Sequence, residues 1–337
     1  MSAQDTATPR EGIAYYPGCS LHGTSREFDE SLRAIAPVLG LRIKEIDDWS
    51  CCGASSGHMT DHLLGVALPA RNLALAEAEG FDRVVAPCAA CYNRLAISQH
   101  EIAADPGLAE RMPDILGRPF RNSVEVVNAN QLLRDAADAI KEKTAATGKP
   151  NPLVGVKLAA YYGCLLVRPA AVAAGEDSEN PSSIDDVIRA CGAEAVDWNM
   201  KVECCGASLS FSRTASVVRL GRAIVSDARA HGAEAIVVAC PLCHSNLDLR
   251  QKAMTARGQE PLPVIFITQL VGLALGLPAG QLGLDRHFVP TAPLLARLSE
   301  RALAREADEA RKKAEAAAKA TARAEKVAAA PRGGEPE

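Results

Sequence analysis

The sequence predicts an α/β protein of two duplicated domains. Each is expected to be an open, largely parallel sheet flanked by helices, and a charged, alanine-rich helix or tail closes the chain. Three observations predict this. Short apolar or β-branched runs alternate with longer segments of helical periodicity, the pattern of parallel strands joined by helical crossovers. The alternation occurs twice, with the same motifs in the same order. Residues 299–330 then shift to Ala, Glu, Lys and Arg with almost no large apolar side chains. The expected units are residues 12–150, 151–298 and 299–337.

In the first unit, 13–16, 42–46 and 83–86 read as strands, and 29–39 and 62–79 as helices. Leu63, Leu64, Ala67, Ala70, Leu73 and Leu75 line one side of the second helix at helical spacing. Gly80 stands where a helix-ending glycine is expected. A helix over 91–98 is expected to begin at Cys91. An insertion near 101–122 lengthens this unit relative to its copy. The second unit repeats the order with a helix over 185–190, a strand over 194–196, a helix over 217–230 ended by Gly232, a strand over 235–238 and a helix over 243–250. Residues 126–133 match 264–271 near the two ends. In the tail, Asp308 with Lys312, Glu309 with Lys313 and Glu315 with Lys319 have ion-pair spacing. That segment reads as a solitary solvated helix with no catalytic role, followed by disorder over 331–337.

Ten of the eleven cysteines fall into two copies of one pattern. The first is Cys19, Cys51-Cys52-Gly53 and Cys88-Ala89-Ala90-Cys91. The second is Cys164, Cys204-Cys205-Gly206 and Cys240-Pro241-Leu242-Cys243. Cys19, Cys88, Cys164 and Cys240 each follow a predicted strand, so both sets are expected at the carboxyl edge of a sheet, where α/β folds gather ligands. Gly53 and Gly206 are expected at positive φ, letting backbone approach a bound group. Cys191 has no counterpart and reads as a small buried hydrophobe.

Five thiols per copy exceed the four ligands of structural zinc. They suit an iron–sulfur assembly, in which thiolates hold the iron. Paired zinc sites with one idle cysteine each remain the alternative. Disulfides fit poorly, because the cysteine total is odd and residues 1–12 form no apolar signal core. The net charge of −4 and 4% aromatic content argue against a nucleic-acid partner. The apolar stretch 264–278 is too short to span a bilayer. A cytoplasmic protein with at most peripheral membrane association is expected.

The constellation resembles the CCG-domain family, specifically its heterodisulfide reductase members of the B-subunit type. The residues carrying the resemblance are Tyr15-Tyr16-Pro17-Gly18-Cys19-Ser20-Leu21-His22-Gly23, Cys51-Cys52-Gly53-Ala54-Ser55, Ala160-Tyr161-Tyr162-Gly163-Cys164-Leu165-Leu166, Glu203-Cys204-Cys205-Gly206-Ala207-Ser208 and Ala239-Cys240-Pro241-Leu242-Cys243. It covers about residues 12–295. The resemblance implies two noncubane [4Fe-4S] clusters. The first would be held by Cys19, Cys51, Cys52, Cys88 and Cys91, the second by Cys164, Cys204, Cys205, Cys240 and Cys243. It further implies ferredoxin-like and flavoprotein subunits of a heterodisulfide reductase-like complex as partners, and a disulfide or sulfur carrier as substrate.

The expected function is therefore that of an oxidoreductase subunit performing two-electron disulfide or sulfur-carrier chemistry. The alternatives are an electron-transfer subunit of a quinone-linked, succinate or fumarate reductase-type complex, and a metal-bound scaffold. His22 and His58 are the candidate proton donors, both beside the first cysteine set. His244, next to Cys243, is a further candidate. Arg168, four residues past Cys164, is a candidate for holding an acidic substrate group.

Overall fold

The structure is a computed structural model and describes residues 12–173 and 175–328. The first unit runs β1 (Ile13–Tyr15), α1 (Gly18–His22), α2 (Arg26–Val38), β2 (Ile43–Glu45), α3 (Gly57–Thr60), α4 (His62–Ala78), β3 (Arg83–Val85), α5 (Ala89–Ala104), α6 (Pro106–Leu116), β4 (Glu125–Val127), α7 (Ala129–Asp135) and α8 (Ala137–Ala146). The second runs β5 (Lys157–Tyr161), α9 (Ser183–Ala190), β6 (Glu194–Ala195), α10 (Thr214–Ala230), β7 (Ala235–Val238), α11 (Pro241–Leu249), α12 (Gln251–Met254), β8 (Val264–Phe266) and α13 (Ile267–Ala274). A last helix, α14, spans Ala292–Ala328.

Each unit holds one four-stranded sheet, ordered β2-β1-β3-β4 and β6-β5-β7-β8. Every pairing is parallel, with Tyr15 opposite Val85 and Tyr161 opposite Val238. The chain leaves β1 toward one edge and β3 toward the other. The carboxyl ends of these two central strands therefore open a crevice between diverging connections. β5 and β7 repeat the arrangement.

The two units share one core. α7 packs on α9, and its counterpart α13 packs on α2, so each unit lends its post-sheet helix to the other. Phe28 of α2 stacks on Phe266 at 4.3 Å, and the hydroxyls of Ser31 and Thr268 lie 2.6 Å apart beside them.

The structure corrects several expectations. Each sheet has a fourth strand, β4 and β8, inside segments matched only as a repeat. The helices after the CxxC motifs begin at Ala89 and Pro241, with Cys88 and Cys240 as N-caps, so Cys91 and Cys243 complete the first turn and do not open it. In α4, Leu64 is exposed; Val66 and Ala70, with Ala67 beside them, pack against Ile102 and Met112, while Leu73, Leu75 and Ala76 enter the main core. The inserted α6 thus covers part of the apolar stripe, apart from the main core. The last helix begins seven residues before the expected tail and docks through buried Leu294 and Leu298. Arg301 pairs there with Glu234 at 3.0 Å. Beyond, Leu303 is exposed and the Asp308–Lys312 pair forms at 2.8 Å. Residues 331–337 lie outside the described residues.

Candidate metal centres

The first centre forms in the crevice above β1 and β3. Cys19 sits in α1, Cys51 and Cys52 lie in the loop before α3, and Cys88 and Cys91 bracket the first turn of α5. Cys52 and Cys91 sulfurs are 3.5 Å apart. Gly18 has φ +65°, and a Cβ there would stand 2.7 Å from Cys91 Sγ. Only glycine allows the chain to turn into α1 and still leave room for that sulfur. Gly53, at φ +75°, places its amide 3.5 Å from Cys51 Sγ.

The second centre repeats this above β5 and β7. Cys164 Sγ is 3.9 Å from Cys204 Sγ, and Cys205 Sγ is 3.5 Å from Cys243 Sγ. Gly163 has φ +63°, with a would-be Cβ 3.1 Å from Cys243 Sγ. Gly206, at φ +78°, presents its amide to Cys204 Sγ at 3.3 Å.

All ten thiols are free. Their contacts are far longer than a disulfide bond of about 2.05 Å. Cys52, Cys88 and Cys91 are buried while Cys19 and Cys51 are exposed; Cys205, Cys240 and Cys243 are buried while Cys204 is exposed and Cys164 half-buried. Neighbouring cysteines dominate the titration of these groups. Cys51 is pushed up first by Cys52, Cys91 up by Cys52, Cys164 up by Cys204 and Cys243 up by Cys205. Cys88 is drawn down by Cys91, Cys205 by Cys243, and Cys204 by Cys164 to about 6. Sulfurs this close share protons, and ionising them all together requires cations among them. A multinuclear iron–sulfur group meets that need with sulfur-preferring metal, so the donor set fits it.

Two tyrosines that sequence reasoning did not single out shape the centres. Tyr16 donates to the Ser50 carbonyl at 2.8 Å, and Tyr161 to the Glu203 carbonyl at 2.6 Å. These carbonyls immediately precede the adjacent cysteines. The signal was present, since the two tyrosines hold equivalent places before Cys19 and Cys164. Asn72 accepts from the Ser50 amide at 2.8 Å, and Asn246 donates to the Cys205 carbonyl at 3.3 Å.

The candidate proton donors make other contacts. His22 pairs with Glu45 at 3.2 Å and meets Trp49 edge-on. The exposed His58 places Nδ1 3.3 Å from the Gly53 carbonyl. Among the described residues, neither hydrogen-bonds to a cysteine sulfur. Arg168 binds the Val202 carbonyl and Glu179, which gives it a structural task. Cys191 is fully buried at the end of α9, and burial pushes its thiol up.

Segments carrying the two centres meet across the domain interface. Asn93, two residues past Cys91, donates to the carbonyls of Leu165 at 3.1 Å and Arg168 at 2.8 Å. Tyr92 donates to the Val172 carbonyl at 2.9 Å. The segment following Cys164 is thus fastened to the helix that carries Cys91.

The cysteine-rich (CCG) domain family matches the chain twice, over residues 13–96 and 158–248. The chain is 34% identical to the membrane anchor subunit of 8-methylmenaquinol:fumarate reductase from Wolinella succinogenes, covering 84% of this chain and 98% of that one. It is 30% identical to the B subunit of ferredoxin:CoB-CoM heterodisulfide reductase from Methanosarcina mazei, covering 86% and 97%. A crystal structure of a hypothetical protein from Helicobacter pylori shares the fold at a TM-score of 0.66 and 15% identity, covering 84% of this chain. The chain spans 53% of that protein's length. Among the described residues, no helix is long and apolar enough to cross a membrane.

Proposed function

The chain belongs to the cysteine-rich CCG-domain family, with the domain present twice, and on that premise we propose that it is the iron–sulfur subunit of a heterodisulfide reductase-like complex. Its two five-cysteine centres would each hold a noncubane [4Fe-4S] cluster and perform two-electron chemistry on a disulfide or a sulfur carrier. The observation that carries this reading is the placement of two partly open thiol centres on either side of one interface. A disulfide has two sulfurs to receive, one at each centre.

Bound clusters would supply electrons and iron able to hold sulfur. The chain's own residues do the positioning. Tyr16 and Tyr161 fix the paired cysteines, the first turns of α5 and α11 hold Cys88 with Cys91 and Cys240 with Cys243, and Gly18 and Gly163 leave room for Cys91 and Cys243. The family relationship supports ferredoxin-like and flavoprotein subunits as electron donors. Cytoplasmic placement, at most peripheral to a membrane, completes the proposal.

A second reading has its own support. The relative from Wolinella succinogenes is part of a quinol-linked fumarate reductase. On that reading the centres relay electrons between a quinol and a partner reductase. A small isotopically labelled thiol, added during partial oxidation of the anaerobic complex, separates the two. Hyperfine broadening of a paramagnetic cluster signal supports sulfur chemistry. An unchanged signal with normal electron flow to or from a quinone supports the relay.

A further inference from the structure

A cleft of about 370 Å³ opens between the two units, walled by Glu27, His244, Ser245, Asp248, Arg286 and Phe288. Its origin lies in broken symmetry. His244 and Ser245 follow Cys243 as Tyr92 and Asn93 follow Cys91. In the other half, those two positions are tied to the segment after Cys164. After Cys19 the chain makes only α1 and a short turn before α2, and space remains beside α11.

Most of the polar wall is already engaged. Asp248 accepts from the amides of Phe288 at 2.7 Å and Val289 at 3.0 Å. Arg286 pairs with Glu30 at 2.7 Å. His244, Asp248 and His287 bring ligating atoms within 4.8 Å of one another, but each is already hydrogen-bonded. Gln269 donates to His287 Nε2 at 2.9 Å, which leaves Nδ1–H to donate to the Val264 carbonyl at 2.9 Å. His244 Nε2 is 3.2 Å from that carbonyl.

Among the ionisable residues of the wall, Glu27 differs. It is 7% exposed, and its Cβ lies where a side chain on Gly283 would collide at 2.7 Å. Among the described residues, no other residue donates a hydrogen bond to its carboxylate, which has only its own backbone amide. The titratable and charged groups around it are Arg26 and Glu30 on α2, His244 and Asp248 on α11, and Arg286 in the turn after α13. Burial, most of all, raises its pKa above the ordinary carboxylate value; Asp248 and Glu30 add to the rise and Arg286 opposes it. A buried carboxyl bonded only to its own amide, in an open cleft, is arranged to hold and exchange a proton.

We propose that Glu27 is the proton-exchange group for the two-electron chemistry, carrying protons between solvent in the cleft and the centre attached to α11. This rests on the proposed function. Reductive cleavage breaks one S–S bond and consumes two electrons and two protons, giving two thiols. Electrons come from the partner subunits' reductant. Glu27 delivers a proton, is reloaded from solvent through the cleft, and delivers the second.

The test compares the anaerobic complex carrying wild-type chain, Glu27→Gln and Glu27→Asp. Two readouts are taken, redox-difference infrared spectra and the pH profile of disulfide reduction. The wild type should show a deuterium-sensitive carboxylic acid band that changes on cluster reduction, is absent in Glu27→Gln and is shifted in Glu27→Asp. Glu27→Gln should keep its iron and KM while kcat falls about a hundredfold, and Glu27→Asp should restore part of the rate with a displaced pH profile. Wild-type kcat and pH profile in Glu27→Gln overturn the proposal, as does an infrared band that persists in it. If Glu27→Gln loses iron, the wild-type band and its shift in Glu27→Asp decide. If the complex reduces no disulfide, the proposed function fails, while the infrared band still judges Glu27.

Discussion

Replacing Gly18 with alanine tests how closely the backbone is fitted to the first centre. Three glycines make a graded series with nearly equal φ: Gly18 at +65°, Gly163 at +63° and Gly40 at +72°. Each alanine variant carries the same left-handed backbone cost of about 1–2 kcal/mol. They differ in what the new methyl meets. At Gly40 nothing lies within 4 Å; at Gly163 the Cys243 sulfur is 3.1 Å away; at Gly18 the Cys91 sulfur is 2.7 Å away. The Gly18 contact is inside any tolerable separation, so Cys91 must move, at an overpacking cost of about 1–3 kcal/mol. The totals are about 2–5 kcal/mol for Gly18→Ala, an intermediate loss for Gly163→Ala, and about 1–2 for Gly40→Ala. Cys91 belongs to the first centre, so Gly18→Ala should also lower iron content by up to half with the second centre's signal intact. Anaerobic denaturant titration and iron analysis of the three variants provide the assay. If Gly18→Ala keeps full iron and loses no more stability than Gly40→Ala, the close fit of backbone to thiol centre is wrong.

The other predictions concern ligands, anchors and acid. Cys191→Ala should retain both centres, while Cys52→Ala and Cys205→Ala should each damage one, as read by paramagnetic resonance. Tyr16→Phe and Tyr161→Phe should each cost about 1 kcal/mol and alter the signal of their own centre alone, measured by denaturation and spectroscopy. Burial draws His287 down to about 4, against about 6.5 when unfolded. The unfolded chain therefore binds more protons between these values. The contribution of His287 is complete above about pH 6.5 and is lost as pH falls toward 4, to a total of about 3 kcal/mol. Stability of the wild type should fall more steeply over that window than stability of His287→Phe.

Much of this was legible in the sequence, for physical reasons. β1, β3, β5 and β7 are apolar runs directly ahead of a cysteine, and the repeat doubled every signal. Gly53, Gly206, Gly80 and Gly232 mark positive φ that other residues resist, and all four adopt it. The fourth strands were harder. Val264–Phe266 runs straight into α13 with no turn residue between, so apolar periodicity cannot divide strand from helix. The burial of α4 depends on α6, an insertion whose packing has no local signature. Within the centres, cysteine spacing identified which thiols meet. It could not show that Tyr16 and Tyr161 reach the carbonyls before the paired cysteines, since that contact joins segments 34 and 42 residues apart. Glu27 was invisible for the same reason. Its isolation depends on α11 and Gly283, contributed by the other half of the chain.

The most direct test of the central claim is the iron and acid-labile sulfide content of the chain purified without oxygen, measured with its paramagnetic spectrum. Two complete centres predict about eight irons with a similar amount of sulfide per chain, falling to about half when either Cys52 or Cys205 is replaced by alanine. Stoichiometric zinc without sulfide, or iron unaffected by those substitutions, would contradict it.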